Sequence, residues 1–211
     1  MTLVKICGLS EPATLDAAVA AGADHVGFVF FAPSPRHLSF ARAAGLSARV
    51  PDRVGRVGVF VAPDDALVAM AIDAGRLSAL QLHDAAPARV AELKRRFGLE
   101  IWIAIPVATR RDVEAASAWR GAADRLLFDA KAPKTAKLPG GNALRFDWRL
   151  LEGFDVGMAW GLAGGLDPAS VAEARRATAT PLVDVSSGVE DMPGVKSAEK
   201  IRAFVRAVRG R

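Results

Sequence analysis

The chain has 211 residues, of which 51% are hydrophobic and 24% charged, enough for one well-buried domain and too few to require two. No run approaches the 18 or more uninterrupted apolar residues of a membrane span, and Met1 to Cys7 lacks the basic flank, apolar stretch and cleavage site of a leader, so a cytoplasmic protein without membrane contact is expected. One cysteine excludes an internal disulfide and a thiolate metal cluster, and leaves Cys7 as either a small core residue or a chemical one.

In chain order, β-branched runs that read as strands cover Leu3 to Cys7, His25 to Phe30, Arg56 to Phe60, Ala79 to Leu82, Ile101 to Ile105, Arg125 to Asp129, Val156 to Gly161 and Leu182 to Val185. Alanine-rich stretches of helical period follow Glu11, Ser39, Pro63, Pro87, Thr109, Asp147, Pro168 and Ser197, several of them with proline or a capping side chain at the start. The alternation runs from end to end without a linker. Parallel strands with right-handed crossovers follow, and eight units are the number that closes a (β/α)8 barrel, so the whole chain, residues 1–211, is expected to form one TIM-barrel domain of the α/β class. An open doubly wound sheet is the structural rival, but the turn after the first strand, Cys7-Gly8-Leu9-Ser10, has no GxGxxG.

The net charge of +5 suits an anionic partner, either nucleic acid or a phosphorylated metabolite. The 28 basic residues are scattered among 23 acids, with no long basic run, and many stand at helical spacing beside acids, as in Arg89 to Arg96. That pattern reads as solvated helix faces, which favours a small phosphorylated substrate over nucleic acid. Oligomeric state is open between monomer and homodimer.

In such a barrel, ligand-contacting groups lie just past the C-terminal ends of the strands. After the seventh strand comes Gly161-Leu162-Ala163-Gly164-Gly165-Leu166-Asp167-Pro168, and after the eighth Asp184-Val185-Ser186-Ser187-Gly188-Val189-Glu190. Glycines admit backbone N–H groups close to an anion and serine hydroxyls add donors, so Gly164, Gly165, Ser186, Ser187 and Gly188 are candidate phosphate ligands. Either turn alone reads equally well as a helix cap or a tight turn; the pairing of the two on adjacent loops argues for phosphate.

Strand alternation puts Leu3, Lys5 and Cys7 on one face, with Cys7 at the rim and Lys5 one layer deeper, and Asp129 takes the corresponding rim position on the sixth strand. A thiol is mostly protonated at neutral pH and gains as a base from a cationic neighbour such as Lys5. A carboxyl that must donate a proton needs its pKa raised by desolvation. Against these readings, a buried cysteine often serves packing, a strand-terminal aspartate often caps a turn, and Lys5 with Asp184 reads as a buried ion pair on adjoining strands. Arg36, in the loop after the second strand, offers a planar fork for a carboxylate, and His83 ends the fourth strand at the same mouth. His25 opens a strand at the opposite end and is taken as structural. No His, Cys, Asp and Glu set has metal-ligand spacing, so no metal is expected.

These stretches resemble the phosphoribosylanthranilate isomerase family of tryptophan biosynthesis. The match rests on Val4-Lys5-Ile6-Cys7-Gly8-Leu9, His25 to Phe30, Ser34-Pro35-Arg36, Val57 to Val61, Leu80-Gln81-Leu82-His83, Leu127 to Lys131, Phe146-Asp147-Trp148, Leu162 to Leu166 and Val183 to Glu190, in order along nearly the whole chain. The pairing of Lys-Ile-Cys-Gly near the start with Asp-Val-Ser-Ser-Gly-Val-Glu near the end is far more specific than either alone. The resemblance implies a cofactor-free Amadori rearrangement of N-(5'-phosphoribosyl)anthranilate to 1-(2-carboxyphenylamino)-1-deoxyribulose 5-phosphate. In it, Asp129 matches the general acid at the furanose oxygen and Cys7 the base at C2'. Arg36 matches the residue that holds the anthranilate carboxylate, and Asp184 one near the amine and ribose. Two departures stand out. Ile103-Ala104 replaces a common Lys-Ala, and the loop from Pro133 to Asn142, expected to form a mobile lid, carries fewer Gly and Thr than is usual. The rival readings are another phosphosugar barrel, such as the histidine-pathway isomerase with its two aspartates or a pentose-phosphate epimerase, and a phosphate-binding barrel without catalysis.

Overall fold

A computed structural model describes residues 1–133, 135–136, 138–141, 144–155 and 157–210. Eight parallel strands close into a barrel in sequence order: β1 (Leu3–Cys7), β2 (His25–Val29), β3 (Gly55–Val61), β4 (Ala79–His83), β5 (Glu100–Val107), β6 (Arg125–Ala130), β7 (Ala159–Leu162) and β8 (Leu182–Val185). Among the described residues seven α-helices pack outside: α1 (Pro12–Ala21), α2 (Phe40–Ser47), α3 (Asp65–Gly75), α4 (Pro87–Phe97), α5 (Arg110–Ala115), α6 (Val171–Thr178) and α7 (Ala198–Arg209). Six of these seven starts have a local cause in a capping side chain or a first-turn proline, and Ser170 before α6 makes no side-chain cap. Ser39, Asp64, Thr109 and Ser197 accept a backbone N–H of the first turn, and proline occupies the first turn of α1 and α4. No helix of the described residues is long and apolar enough to cross a membrane.

Three expectations change. The helix after Asp147 is a single 3-10 turn, Trp148–Leu151, because Gly153 takes a positive φ of 64° two residues past its end. The seventh strand starts late: the Asp155 carboxylate accepts the N–H of Gly157 at 2.8 Å, Gly157 has φ 63°, and pairing begins only at Ala159; Val156, at the expected start, lies outside the described residues. After β8 the chain also forms an unforeseen antiparallel hairpin, β9 (Glu190–Met192) with β10 (Val195–Lys196). Its turn, Pro193-Gly194, has glycine at φ 86°, a signal that the sequence carried.

Alternation divides the strand side chains between two cores. Outward residues such as Ile6, Phe28, Phe60 and Leu126 are buried against the helices. Inward residues Leu3, Val57, Ala79, Trp102, Leu127 and Leu182 form a closed layer at the bottom of the barrel, where Trp102 also meets His25 edge to face with ring centroids 5.0 Å apart. The next layer up holds Lys5, Gln81 and Asp184, and the rim holds Cys7, His83 and Asp129.

Gly161 leaves room in this interior for two leucines. A Cβ there would lie 2.5 Å from Leu182 Cδ2 and 3.0 Å from Leu127 Cδ2. Gly161→Ala is expected to overpack the layer and lower stability by about 1–3 kcal/mol. A urea melt should show the shift in midpoint with an unchanged slope, and an unchanged midpoint would show that the layer has slack.

Candidate active site

The strand ends and their following loops enclose a cleft whose empty space, counted to its open mouth, is about 840 Å³. Nine of the ten sequence-predicted site residues line it: Cys7, Arg36, His83, Asp129, Gly164, Gly165, Asp184, Ser186 and Ser187. The tenth, Gly188, serves it from behind. A Cβ on Gly188 would fall 1.8 Å from the Leu166 carbonyl oxygen, so its bareness lets the loop after β8 pack onto the loop after β7.

At the bottom of the cleft Lys5 and Asp184 are directly paired across the β1/β8 seam, Nζ to Oδ2 at 2.8 Å, with Lys5 wholly buried. Burial would lower the Lys5 pKa, but the Asp184 charge, the Cys7 sulfur and the hydrogen bonds to both together outweigh it and Lys5 is held charged. Asp184 Oδ1 is buried and has no hydrogen-bond partner among the described residues. It is a free acceptor at the cleft floor, and such a group calls for a donor.

Cys7 ends β1 opposite Gly27 on β2, and the thiol fills the place of the missing side chain; a Cβ on Gly27 would lie 2.8 Å from Sγ. Burial pushes the Cys7 thiol above its ordinary value, and although Lys5 and Lys196 pull it down, Asp184 opposes them and the net direction is up. Lys5 therefore acts in the expected direction without winning. At rest Cys7 is a thiol.

Asp129 ends the inward row of β6 between two glycines. Cβ atoms at Gly140 and Gly164 would lie 2.9 Å from Oδ2 and 2.6 Å from Oδ1 respectively, so only backbone without side chains can enclose the carboxyl this closely. Oδ1 accepts the Ala130 N–H at 2.8 Å. Asp129 keeps partial access to the cleft, yet burial by surrounding atoms, aided by the Asp184 charge, raises its pKa from 3.8 to about 7. It can hold a proton at neutral pH. His83 beside it is lowered to about 4, first by burial and then by Lys5, so its imidazole is neutral and Nε2 lies 3.3 Å from Gln81 Nε2.

Arg36 reaches the cleft from the loop after β2, which returns along that strand through Leu38 N–H to Val29 O at 2.9 Å. Gly8, at φ 72°, admits its stem, since a Cβ there would lie 2.6 Å from Arg36 Cδ. Its fork is not open as the sequence suggested. Nε and Nη2 donate to Glu190 Oε1 and Oε2 at 2.7 and 2.8 Å, and Nη2 also to Gly141 O at 3.3 Å. Sequence reasoning quoted Glu190, Gln81 and Gly27 inside motifs and gave them no role; it missed Lys196 altogether. Of the lid loop, Lys134, Lys137 and Asn142 lie outside the described residues, while Leu138 to Gly141 line the cleft. Ile103 points into the outer core. Among the described residues no group of three His, Cys, Asp or Glu could hold a metal ion.

Residues 4–207 match the family model of N-(5'-phosphoribosyl)anthranilate isomerase. The N-(5'-phosphoribosyl)anthranilate isomerase of Paracoccus denitrificans is 55% identical over 203 residues, 96% of this chain and 94% of that one. A solved phosphoribosylanthranilate isomerase in complex with reduced 1-(o-carboxyphenylamino)-1-deoxyribulose 5-phosphate superposes with a TM-score of 0.87 at 32% identity, covering both chains fully. Monomers generated from the dimeric enzyme of Thermotoga maritima superpose with a TM-score of 0.84 at 33% identity, again over both whole chains. The chain belongs to the N-(5'-phosphoribosyl)anthranilate isomerase family, the aldose-ketose isomerases of tryptophan biosynthesis.

Proposed function

We propose that this chain carries out its family's rearrangement in the cytoplasm as a single barrel domain, monomeric or homodimeric, with Asp129 as general acid and Cys7 as general base and with no cofactor. The observation that carries the reading is the meeting of a carboxyl whose pKa is about 7 and the chain's only thiol in one cleft, over a buried ion pair. Asp129 donates its proton to the furanose ring oxygen as the C1'–O bond breaks and the anthranilate nitrogen pair forms C1'=N. Cys7 removes the C2' proton, and those electrons become the C1'=C2' bond of an enolamine. Ketonisation returns a proton to C1' and takes one from the C2' hydroxyl, so the product is an isomer of the substrate.

The remaining groups hold the substrate at three points. Asp184 Oδ1 accepts from the amine or a ribose hydroxyl. Ser186 and Ser187, with the N–H groups that open the 3-10 turn Ser187–Val189, hold the phosphate together with the Gly164-Gly165 turn, and Gly188 keeps the two loops in register. Arg36 meets the anthranilate carboxylate, and neutral His83 hydrogen-bonds substrate beside the acid. The two-aspartate chemistry of a histidine-pathway isomerase is disfavoured by Cys7 at the first-strand position.

Purified protein should consume N-(5'-phosphoribosyl)anthranilate, seen as loss of anthranilate-type fluorescence, without added metal or nucleotide. Cys7→Ala and Asp129→Asn should each lower kcat by about 10²-fold to 10⁴-fold while a product analogue still binds. Normal kcat in either variant would remove that residue from the proton-transfer pair. Arg36→Ala should chiefly raise KM, and an unchanged KM would count against the carboxylate contact.

The pH dependence has a defined sign. Protonated Asp129 prevails below about 7, whereas thiolate Cys7 prevails only above a raised thiol pKa, so the working pair is a minority form at every pH. Wild-type kcat/KM should therefore climb up to about pH 7, level there, and fall only above the thiol value. In Asp129→Asn the residual activity should keep climbing past pH 7. A levelling near 7 that survives in that variant would assign the limb to another group.

A further inference from the structure

Behind the cleft wall Arg36 belongs to a buried ionic triad whose other two members, Glu190 and Lys196, have no part in the reaction above. Glu190, at the start of β9, takes both Nε and Nη2 of Arg36, and its Oε1 also accepts Lys196 Nζ of β10 at 2.5 Å. Side-chain exposure is 6% for Arg36, 4% for Glu190 and 1% for Lys196. Lys196 Nζ further donates to Ser186 O at 3.0 Å and Ser186 Oγ at 3.2 Å. The hairpin turn closes on the same carboxylate through Gly194 N–H to Glu190 Oε2 at 3.3 Å.

Two physical consequences follow. First, the bidentate contact fixes the guanidinium plane and occupies its side edge, so a ligand can meet only the Nη1 end, which no described residue hydrogen-bonds. Second, two cations and one anion, nearly dry, carry a net charge of +1 beside the cleft, an arrangement completed by one more anion.

We infer that Glu190 is a positioning residue, backed by Lys196, which orients Arg36 so that its Nη1 end receives the carboxylate of the substrate's aromatic ring. The hairpin thereby ties carboxylate recognition to the serine turn through Lys196 and Ser186. This rests on the carboxylate reading of Arg36 given above. Glu190 itself touches no substrate; its shape and charge are spent on Arg36 and Lys196.

The test compares two probes: reduced 1-(2-carboxyphenylamino)-1-deoxyribulose 5-phosphate and the same molecule with an unsubstituted phenyl ring. Wild-type protein is expected to prefer the carboxylated probe by about 10-fold to 100-fold, the scale of a charge-assisted hydrogen bond. Glu190→Gln keeps the volume but can no longer accept from both Arg36 nitrogens. It should lose most of that preference, bind the phenyl probe as wild type does, and raise KM for N-(5'-phosphoribosyl)anthranilate far more than it lowers kcat. Undiminished preference in Glu190→Gln, or an equal loss for both probes, overturns the positioning role. If Glu190→Gln does not fold, Glu190→Asp retains the charge on a shorter stem and should show the same selective loss in smaller degree, with equal loss for both probes again overturning the inference. A wild type that fails to discriminate the probes overturns the carboxylate reading of Arg36 and this role with it, an outcome distinct from a discriminating wild type with an indifferent Glu190 variant.

Discussion

The buried pair of Lys5 and Asp184 sets the field felt by Cys7, His83 and Asp129. It sits where the barrel closes, β1 against β8, with its two Cα positions in direct register. A pair this dry is poor evidence for stability, because desolvating both charges cancels much of their attraction. Its effect is a fixed field. Lys5 lowers the Cys7 thiol, the His83 imidazole and the Asp129 carboxyl, while Asp184 raises both Cys7 and Asp129. Asp184 Oδ1, without a hydrogen-bond partner among the described residues, leaves the same pair with a free acceptor at the cleft.

Within that field burial decides the resting state of both proton-transfer candidates. For Asp129 it works with the chemistry, since a carboxyl with pKa about 7 is a competent acid near neutrality. For Cys7 it works against it, since the thiol is pushed up and the base form becomes scarce. The expectation that Cys7 gains as a base from Lys5 thus has the right sign, but Lys5 and Lys196, opposed by Asp184, do not offset complete burial. Near neutrality the thiol therefore keeps its proton, and the carboxyl is poised at the midpoint of its titration.

Much of this was legible in the sequence because strand alternation is a local rule. The runs ending at Cys7 and Asp129 each placed their last residue on the inner face, and the β1 and β8 boundaries matched residue for residue. The terminal turns of the helical cycles were less legible. The segment after Asp147 has the composition of a helix, but Gly153 stops it after one 3-10 turn. The Arg36 fork was misread for a different reason: its partner Glu190 lies 154 residues away, and nothing in the spacing of either residue announces a contact that only barrel closure creates. Lys196, in a hairpin hidden behind a Pro-Gly turn, had no signal at all beyond that turn.

The glycines show why motif reading gives position more readily than cause. A Gly-rich turn next to a serine suggests backbone N–H groups approaching an anion, and the turns do line the cleft. Yet each bare Cα is first consumed by protein packing: Gly188 against Leu166 O, Gly164 against Asp129 Oδ1 and the Ala130 amide, Gly27 against the Cys7 thiol, Gly8 against the Arg36 stem. A methyl at any of these points would displace an acid, a thiol, a guanidinium or a loop rather than a ligand. The loops after β7 and β8 are therefore locked to each other before any phosphate binds, and the hairpin that follows β8 carries Glu190 onto Arg36. Preorganisation of the proposed phosphate and carboxylate anchors then comes from one continuous stretch, β8 through β10, seated on the same strand that supplies Asp184 to the central ion pair.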